Sequence, residues 1–400
     1  MTVASRIYLD NSASTRVHPA VVEAMLPYFT QAYGNPSSLH SPGREAKEAV
    51  ERSRAALASI LGARPHEIVF TSGGTESNNL ALKGIAFANL AKGRHIVTSA
   101  IEHDSVLNPC RWLVAQGFRV TCVPVDEFGM VKAEHMAEAI GEDTVLVSIM
   151  HANNEIGTVQ PIDEIGALCR ERGAYFHTDA CQSFTQLPID VRRRPIDLLT
   201  INAHKIHGPK GVGALFIRDG INIAPWQQGG GHERGLRSST ENVPGIVGFA
   251  AAAELCWRER AVQIPRITQL RDRIIDEVLD TVPEAYLNGH PTERLPNNVN
   301  LGLRGLEGQA IRLLLELDEL GIAVSSGSAC SSNQAENQPS HVLRAIGRNP
   351  VEARGALRVS LGRDNTEPEV DRFLGAFSQV LNNMRTISDA GCGGQAHARD

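Results

Sequence analysis

Thr144-Val-Leu-Val-Ser-Ile-Met150, a helix-spaced run over Ile162 to Arg172, and then Ala174-Tyr-Phe-His-Thr178 decide the fold. The outer two segments are near-continuous apolar runs, as strands buried on both faces must be. The segment between them spaces its apolar residues as one helix face does. A strand, a covering helix and a second strand read as a parallel pair. The same alternation extends in both directions. Upstream lie Glu67-Ile-Val-Phe-Thr71 (strand), Gly74 to Ala91 (helix), His95-Ile-Val-Thr-Ser99 (strand), Ser105 to Gln116 (helix), Arg119 to Val125 (strand) and Lys132 to Ile140 (helix). Downstream, Ile196 to Ile201 and Val212 to Ile217 are further strands. The fold class is α/β, with a mainly parallel seven-stranded sheet covered by helices.

The pattern changes after about residue 240. Ile246 to Leu279 predicts one or two long helices, with Pro265 as a candidate break. Asn298 to Leu303 and Ala356 to Leu361 predict strands, and Gln309 to Leu320 and Pro368 to Met384 predict helices. The expected organisation is an N-terminal segment (1–20) packing with the small domain, a large domain (21–260), a smaller α+β C-terminal domain (261–388) and a disordered tail (389–400). Three stretches are rich in turn formers: Gly34 to Gly43, Gln227 to Asn242 and the polar loop Ser325 to Ser340. A loop as long as the last is usually functional or disordered.

Composition narrows the function. The 400 residues are 42% hydrophobic and 21% charged, and net charge is 39 − 45 = −6. A chain this long needs no disulfide or metal staple. The negative balance lacks the electrostatic footprint of a nucleic-acid binder. No apolar stretch reaches the roughly 18 residues of a membrane span, and Met1 to Leu9 has no signal-peptide core. The expected location is the cytoplasm. The seven cysteines form no Cys-x-x-Cys pair, so no resident metal is expected.

Candidate chemistry gathers at the carboxyl ends of the expected strands, where open α/β sheets bind ligands. In Ile201-Asn-Ala-His-Lys-Ile-His-Gly-Pro-Lys-Gly211, Lys205 follows a buried strand. Read alone, such a lysine is more often one that snorkels to water; in an apolar pocket it can form a Schiff base. Asp179 ends another strand, where it either caps a helix or holds a ring proton. A lysine for an aldehyde and an aspartate for a pyridinium are the two handles that pyridoxal phosphate requires. Thr71-Ser-Gly-Gly-Thr-Glu-Ser77 opens a helix, and its glycines and Thr75 suit a phosphate. His103 follows the next strand.

In that order, these residues carry a resemblance. Tyr8-Leu-Asp-Asn, Phe70-Thr-Ser-Gly-Gly-Thr-Glu-Ser, Ser148-Ile-Met-His-Ala-Asn-Asn-Glu-Ile-Gly, His204-Lys-Ile-His-Gly-Pro-Lys-Gly, Gly229-Gly-Gly-His-Glu-Arg-Gly and Ser325-Ser-Gly-Ser-Ala-Cys together resemble the cysteine desulfurases. These are the NifS/IscS-like group I branch of the fold-type I pyridoxal-phosphate enzymes, in the class-V aminotransferase family. The similarity runs from about residue 6 to 386.

The resemblance implies conversion of L-cysteine to L-alanine with an enzyme persulfide on Cys330, supplying sulfur for iron–sulfur clusters or other thio-cofactors. Lys205 would bind the pyridoxal phosphate and move protons. Asp179 would pair with its ring nitrogen, and His103 would stack on the ring and serve as an acid–base group. Gln182 and Asn154 would meet the phenolic side, and Asn154 also the substrate. Gly74, Thr75, Asn202 and His204 would hold the phosphate, with Thr240 reaching across from a second copy in a homodimer. Arg358 would clamp the substrate carboxylate. Cys330, in the loop 325–340 expected to be mobile, would pass sulfur to an acceptor such as an iron–sulfur scaffold protein, and is a candidate transient ligand of a nascent cluster. The sequence departs from the family at Asn202 (usually Ser), Ala203 (usually Gly) and Ser239 (often Gly). The loop after Cys330 is slightly longer, and the tail around Cys392 lacks the tryptophan and acidic residues of the housekeeping type.

Overall fold

The computed structural model describes residues 6–326 and 339–393, the last of them (386–393) by backbone alone. In chain order the helices are α1 (Pro19–Met25), α2 (Pro27–Thr30), α3 (Ser41–Leu61), α4 (Gly74–Ala88), α5 (Asp104–Ala115), α6 (Ala133–Ala139), α7 (Ile162–Arg172), α8 (Val243–Thr281), α9 (Ala310–Glu319), α10 (His341–Ala345) and α11 (Glu367–Gly393). The strands are β1 (Ile7–Tyr8), β2 (Ile68–Thr71), β3 (His95–Ser99), β4 (Arg119–Val123), β5 (Thr144–Ser148), β6 (Tyr175–Asp179), β7 (Leu198–Asn202), β8 (Gly213–Ile217), β9 (Ala285–Leu287), β10 (Asn298–Leu303), β11 (Ile322–Ala323) and β12 (Leu357–Ser360).

Seven strands form one sheet in the order β2-β8-β7-β6-β5-β3-β4. Only β8 runs against its neighbours, pairing antiparallel with both β2 and β7. The other six therefore end at the same edge. Alternate residues feed two cores: Phe70, Val147 and Phe176 pack with α3, α7 and α8 on one face, and Val69, Leu146 and Leu198 with α4 and α5 on the other. Burial on both faces explains the unbroken apolar runs of the sequence.

A second core joins Ile7 and Leu9 to the C-terminal half of α8, the antiparallel sheet β12-β10-β9 and α11. β1 pairs in parallel with β11, so the N-terminal segment is sewn into this core. The expected boundary at 260/261 falls inside α8. Its first half packs in one core and its second half in the other, and the helix continues through Pro265. Pro265 removes one backbone hydrogen bond, but apolar burial at both ends outweighs that local loss. α11 runs to Gly393, so residues 389–393 continue a helix where disorder was expected. A helix already nucleated over an apolar face extends by one bond per residue. Residues 327–338, with Cys330, and 394–400 lie outside the described residues. Among the described residues no helix is long and apolar enough to cross a membrane.

Candidate active site

The parallel strands deliver their loops to one cleft. Gly74, Thr75, His103, Asn154, Asp179, Gln182, Asn202, His204 and Lys205 all line it, with about 700 Å³ of empty space counting its open mouth. They end or follow five strands: β2, β3, β5, β6 and β7. β6 and β7 run in register, with Asp179 opposite Thr200, so Asp179 and the turn after Asn202 share one edge.

Asp179 is buried and held by two donors. The Cys181 N–H donates to its Oδ1 at 2.9 Å and Asn78 Nδ2 to its Oδ2 at 2.7 Å. Asn78, which the sequence reading missed, is fully buried on α4, four residues after Gly74. That spacing puts both on one side of the helix and was the available signal. His103 Nδ1 accepts from the Ser105 N–H at 3.0 Å, which leaves the proton of the neutral ring on Nε2. Burial and then the Lys205 ammonium push the His103 pKa down.

Lys205 sits on a turn clamped by Thr15, another residue the sequence reading missed. The His204 carbonyl accepts from the Thr15 N–H at 2.8 Å and from its hydroxyl at 2.9 Å. The His207 N–H donates to Thr15 Oγ1 at 2.7 Å. His207 takes a left-handed φ of 64°, which this clamp sustains. Burial, then Lys205 and Lys210, hold the His204 pKa down at about 4. Gln182 Nε2 donates to the Ser12 carbonyl at 3.0 Å, so the segment 12–15 braces both Gln182 and Lys205.

Arg358 lies on β12, almost wholly buried. Its Nη1 donates to the Asn154 carbonyl at 3.1 Å and its Nη2 to Asp10 Oδ1 at 2.8 Å. The backbone of Arg358 also bridges Ser325, where the Cys330 loop begins. Ser340, at the other end of that loop, donates to Glu155 Oε2 at 2.6 Å. Thr240 does not line the cleft; it is exposed on the loop 227–242. Cys330 is outside the described residues. Burial pushes up four of the other thiols: Cys110 to about 12, Cys256 to about 11, and Cys169 and Cys181 likewise upward. None of these four favours the thiolate.

The cleft fits pyridoxal phosphate. A Cβ on Gly74 would lie 2.7 Å from Cys181 Sγ, so only glycine lets the α4 end stay open there. That helix end offers N–H groups to an anion. Asn202 Oδ1 is buried without a hydrogen-bond partner, beside the same turn. Asp179, held by two donors, turns a carboxyl group to the same cleft.

Residues 7–373 match the family described as Aminotransferase class-V. The chain is 52% identical to the cysteine desulfurase IscS of Methanosarcina thermophila, over 96% of this chain and 93% of that one. It is 50% identical to cysteine desulfurase IscS 1 of Archaeoglobus fulgidus, over 95% and 98%. A solved structure of a NifS-like protein superposes with a TM-score of 0.88 at 39% identity, covering 94% of this chain and 99% of that one. The chain therefore belongs to the class-V aminotransferase family, in its cysteine desulfurase branch.

Proposed function

We propose that this protein is a pyridoxal-phosphate-dependent cysteine desulfurase that converts L-cysteine to L-alanine and holds the sulfur as a persulfide on Cys330. The observation that carries this is one cleft lined by Asp179, His103, Gly74, Thr75, His204 and Lys205, in a chain about half identical to proteins of that name. Asp179 would hold the ring nitrogen of the cofactor, His103 would stack on the ring, and Asn154 and Gln182 would meet its phenolic side. Gly74, Thr75, Asn202 and His204 would take the phosphate, with Thr240 from a second copy. Once bound, pyridoxal phosphate supplies an electron sink for the charge left when the substrate loses its α-proton.

The chain's own residues do the rest. Arg358, fixed by Asp10 and the Asn154 carbonyl, presents a guanidinium to the substrate carboxylate. Lys205 would hold the cofactor aldehyde, and its amine is the group in the cleft placed to take the substrate α-proton. The Cys330 thiolate attacks the substrate sulfur. The carbon–sulfur bond breaks with its electron pair left on carbon, which is protonated before alanine leaves. His103, neutral and carrying its proton on Nε2, lines the same cleft and would serve as an acid–base group in this exchange. The persulfide then passes to an acceptor protein such as an iron–sulfur scaffold. Lys205→Ala tests the reading: it abolishes alanine production from L-cysteine while the fold persists, and normal turnover in that variant overturns it.

A further inference from the structure

Glu76 stands in the first turn of α4, the helix end assigned to the cofactor phosphate. It accepts from the Ser72 N–H at 2.9 Å and so caps the turn. A carboxylate suits a helix N-terminus, but here it also puts negative charge beside an anion site. Arg237 meets it with both prongs: Nε to Oε1 at 2.7 Å and Nη2 to Oε2 at 3.2 Å. Both side chains are less than one-fifth exposed, at 17% and 16%. The pair is therefore far less screened than a surface ion pair.

Arg237 belongs to the loop 227–242, three residues before Thr240. A second anchor holds the same loop: Glu233 receives both Nη groups of Arg54 at 2.7 Å and the Phe70 N–H at 2.9 Å. Glu233, Arg234 and Ser239 carry left-handed φ values of 47°, 58° and 123°. A chain left to itself does not choose these angles, so the anchors set the loop's shape. The first anchor ends in the first turn of α4, where the phosphate site begins, and the second on α3 and on β2, the strand that leads into that turn.

We propose that the Arg237–Glu76 ion pair is a positioning device for the cofactor phosphate, neutralising the carboxylate beside the α4 anion site and fastening the Thr240 loop to that same turn. This rests on the reading of the cleft as a pyridoxal-phosphate site. The two partners are then not equivalent. Arg237→Gln leaves the Glu76 charge uncompensated in the same helix turn as Gly74 and Thr75. Glu76→Gln leaves a cation there, which an anion tolerates. The double variant leaves a neutral pair that can still hydrogen-bond.

The test is equilibrium binding of pyridoxal phosphate to the full-length apoprotein, followed by the cofactor's visible absorbance, with pyridoxal lacking the phosphate as a second probe. Arg237→Gln weakens pyridoxal phosphate binding about tenfold, the effect of one poorly screened charge. Glu76→Gln changes it by less than about threefold, and the double variant recovers most of the loss. Arg237→Lys keeps the charge and most of the affinity. Pyridoxal binding stays the same in all four. Equal losses in both single variants without recovery, equal weakening of pyridoxal, or wild-type affinity in Arg237→Gln would overturn the proposal. Should the unaltered protein bind no pyridoxal phosphate, the reading of the cleft falls together with it.

Discussion

Asn78 Nδ2 donates to Asp179 Oδ2 at 2.7 Å and to Ser105 Oγ at 2.8 Å. Ser105 Oγ lies 2.8 Å from His103 Nδ1, so one buried amide on α4 sets both the carboxylate and the imidazole of the cleft. Asn78→Ala removes a charge-assisted hydrogen bond from a buried acid and is expected to lower turnover about tenfold or more. Asn78→Asp should be worse, because a second carboxylate within hydrogen-bond distance drives the Asp179 proton affinity up. Turnover and cofactor retention measured side by side check this; an aspartate variant as active as the alanine one contradicts it.

Arg358 is held on one side by Asp10 and the Asn154 carbonyl. A lysine keeps the charge but loses the planar fork. Arg358→Lys should therefore raise KM for L-cysteine about tenfold or more, with a smaller effect on kcat. Steady-state kinetics decide it, and an unchanged KM removes Arg358 from the substrate site.

Stability should fall on both sides of neutrality. Burial holds the His177 and His151 pKa values down at about 4 and about 3, against 6.5 for a free imidazole. The unfolded chain then binds the extra protons, so stability present above pH 6.5 is lost as pH falls through that window, by about 1.4 kcal/mol per pH unit for each ring. Glu102 acts in the opposite direction. Burial raises it to about 8, against the Ser99 hydroxyl and Met150 N–H that donate to it. Its contribution is complete below pH 4.5 and is lost as pH rises towards 8. Glu102→Gln should thus gain on the wild type steadily between those limits in melting experiments. A difference that does not change with pH contradicts this.

Ser239 occupies a φ of 123°, a region that glycine enters without strain. Ser239→Gly should relieve about 1 kcal/mol and raise Tm slightly. A lower Tm in calorimetry would mean that the serine side chain contributes more than the backbone loses.

Strand order along the chain and the strand-end positions of Asp179, Lys205, His103 and Gly74 were legible because buried parallel strands leave unbroken apolar runs. The supporting residues were not. Asn78 and Thr15 act across elements far apart in sequence, and nothing local marks an asparagine in a helix or a threonine near the N-terminus as a brace. The continuity of α8 through Pro265 was hidden for a related reason: local propensity argues for a break, and two separate cores override it. Arg237 and Glu76 lie 161 residues apart, so their pairing could only be found in the fold.

The central claim is that Cys330 accepts the sulfur. Apart from Cys122, which is exposed on β4, the thiols with described side chains are at least partly buried. Mass spectrometry of the protein after a single turnover with L-cysteine, without added thiol, tests the claim most directly. The peptide containing Cys330 should gain the mass of one sulfur atom, and Cys330→Ala should gain none and release no alanine. Sulfur found instead on Cys181 or Cys392, or full alanine release by Cys330→Ala, would contradict the account.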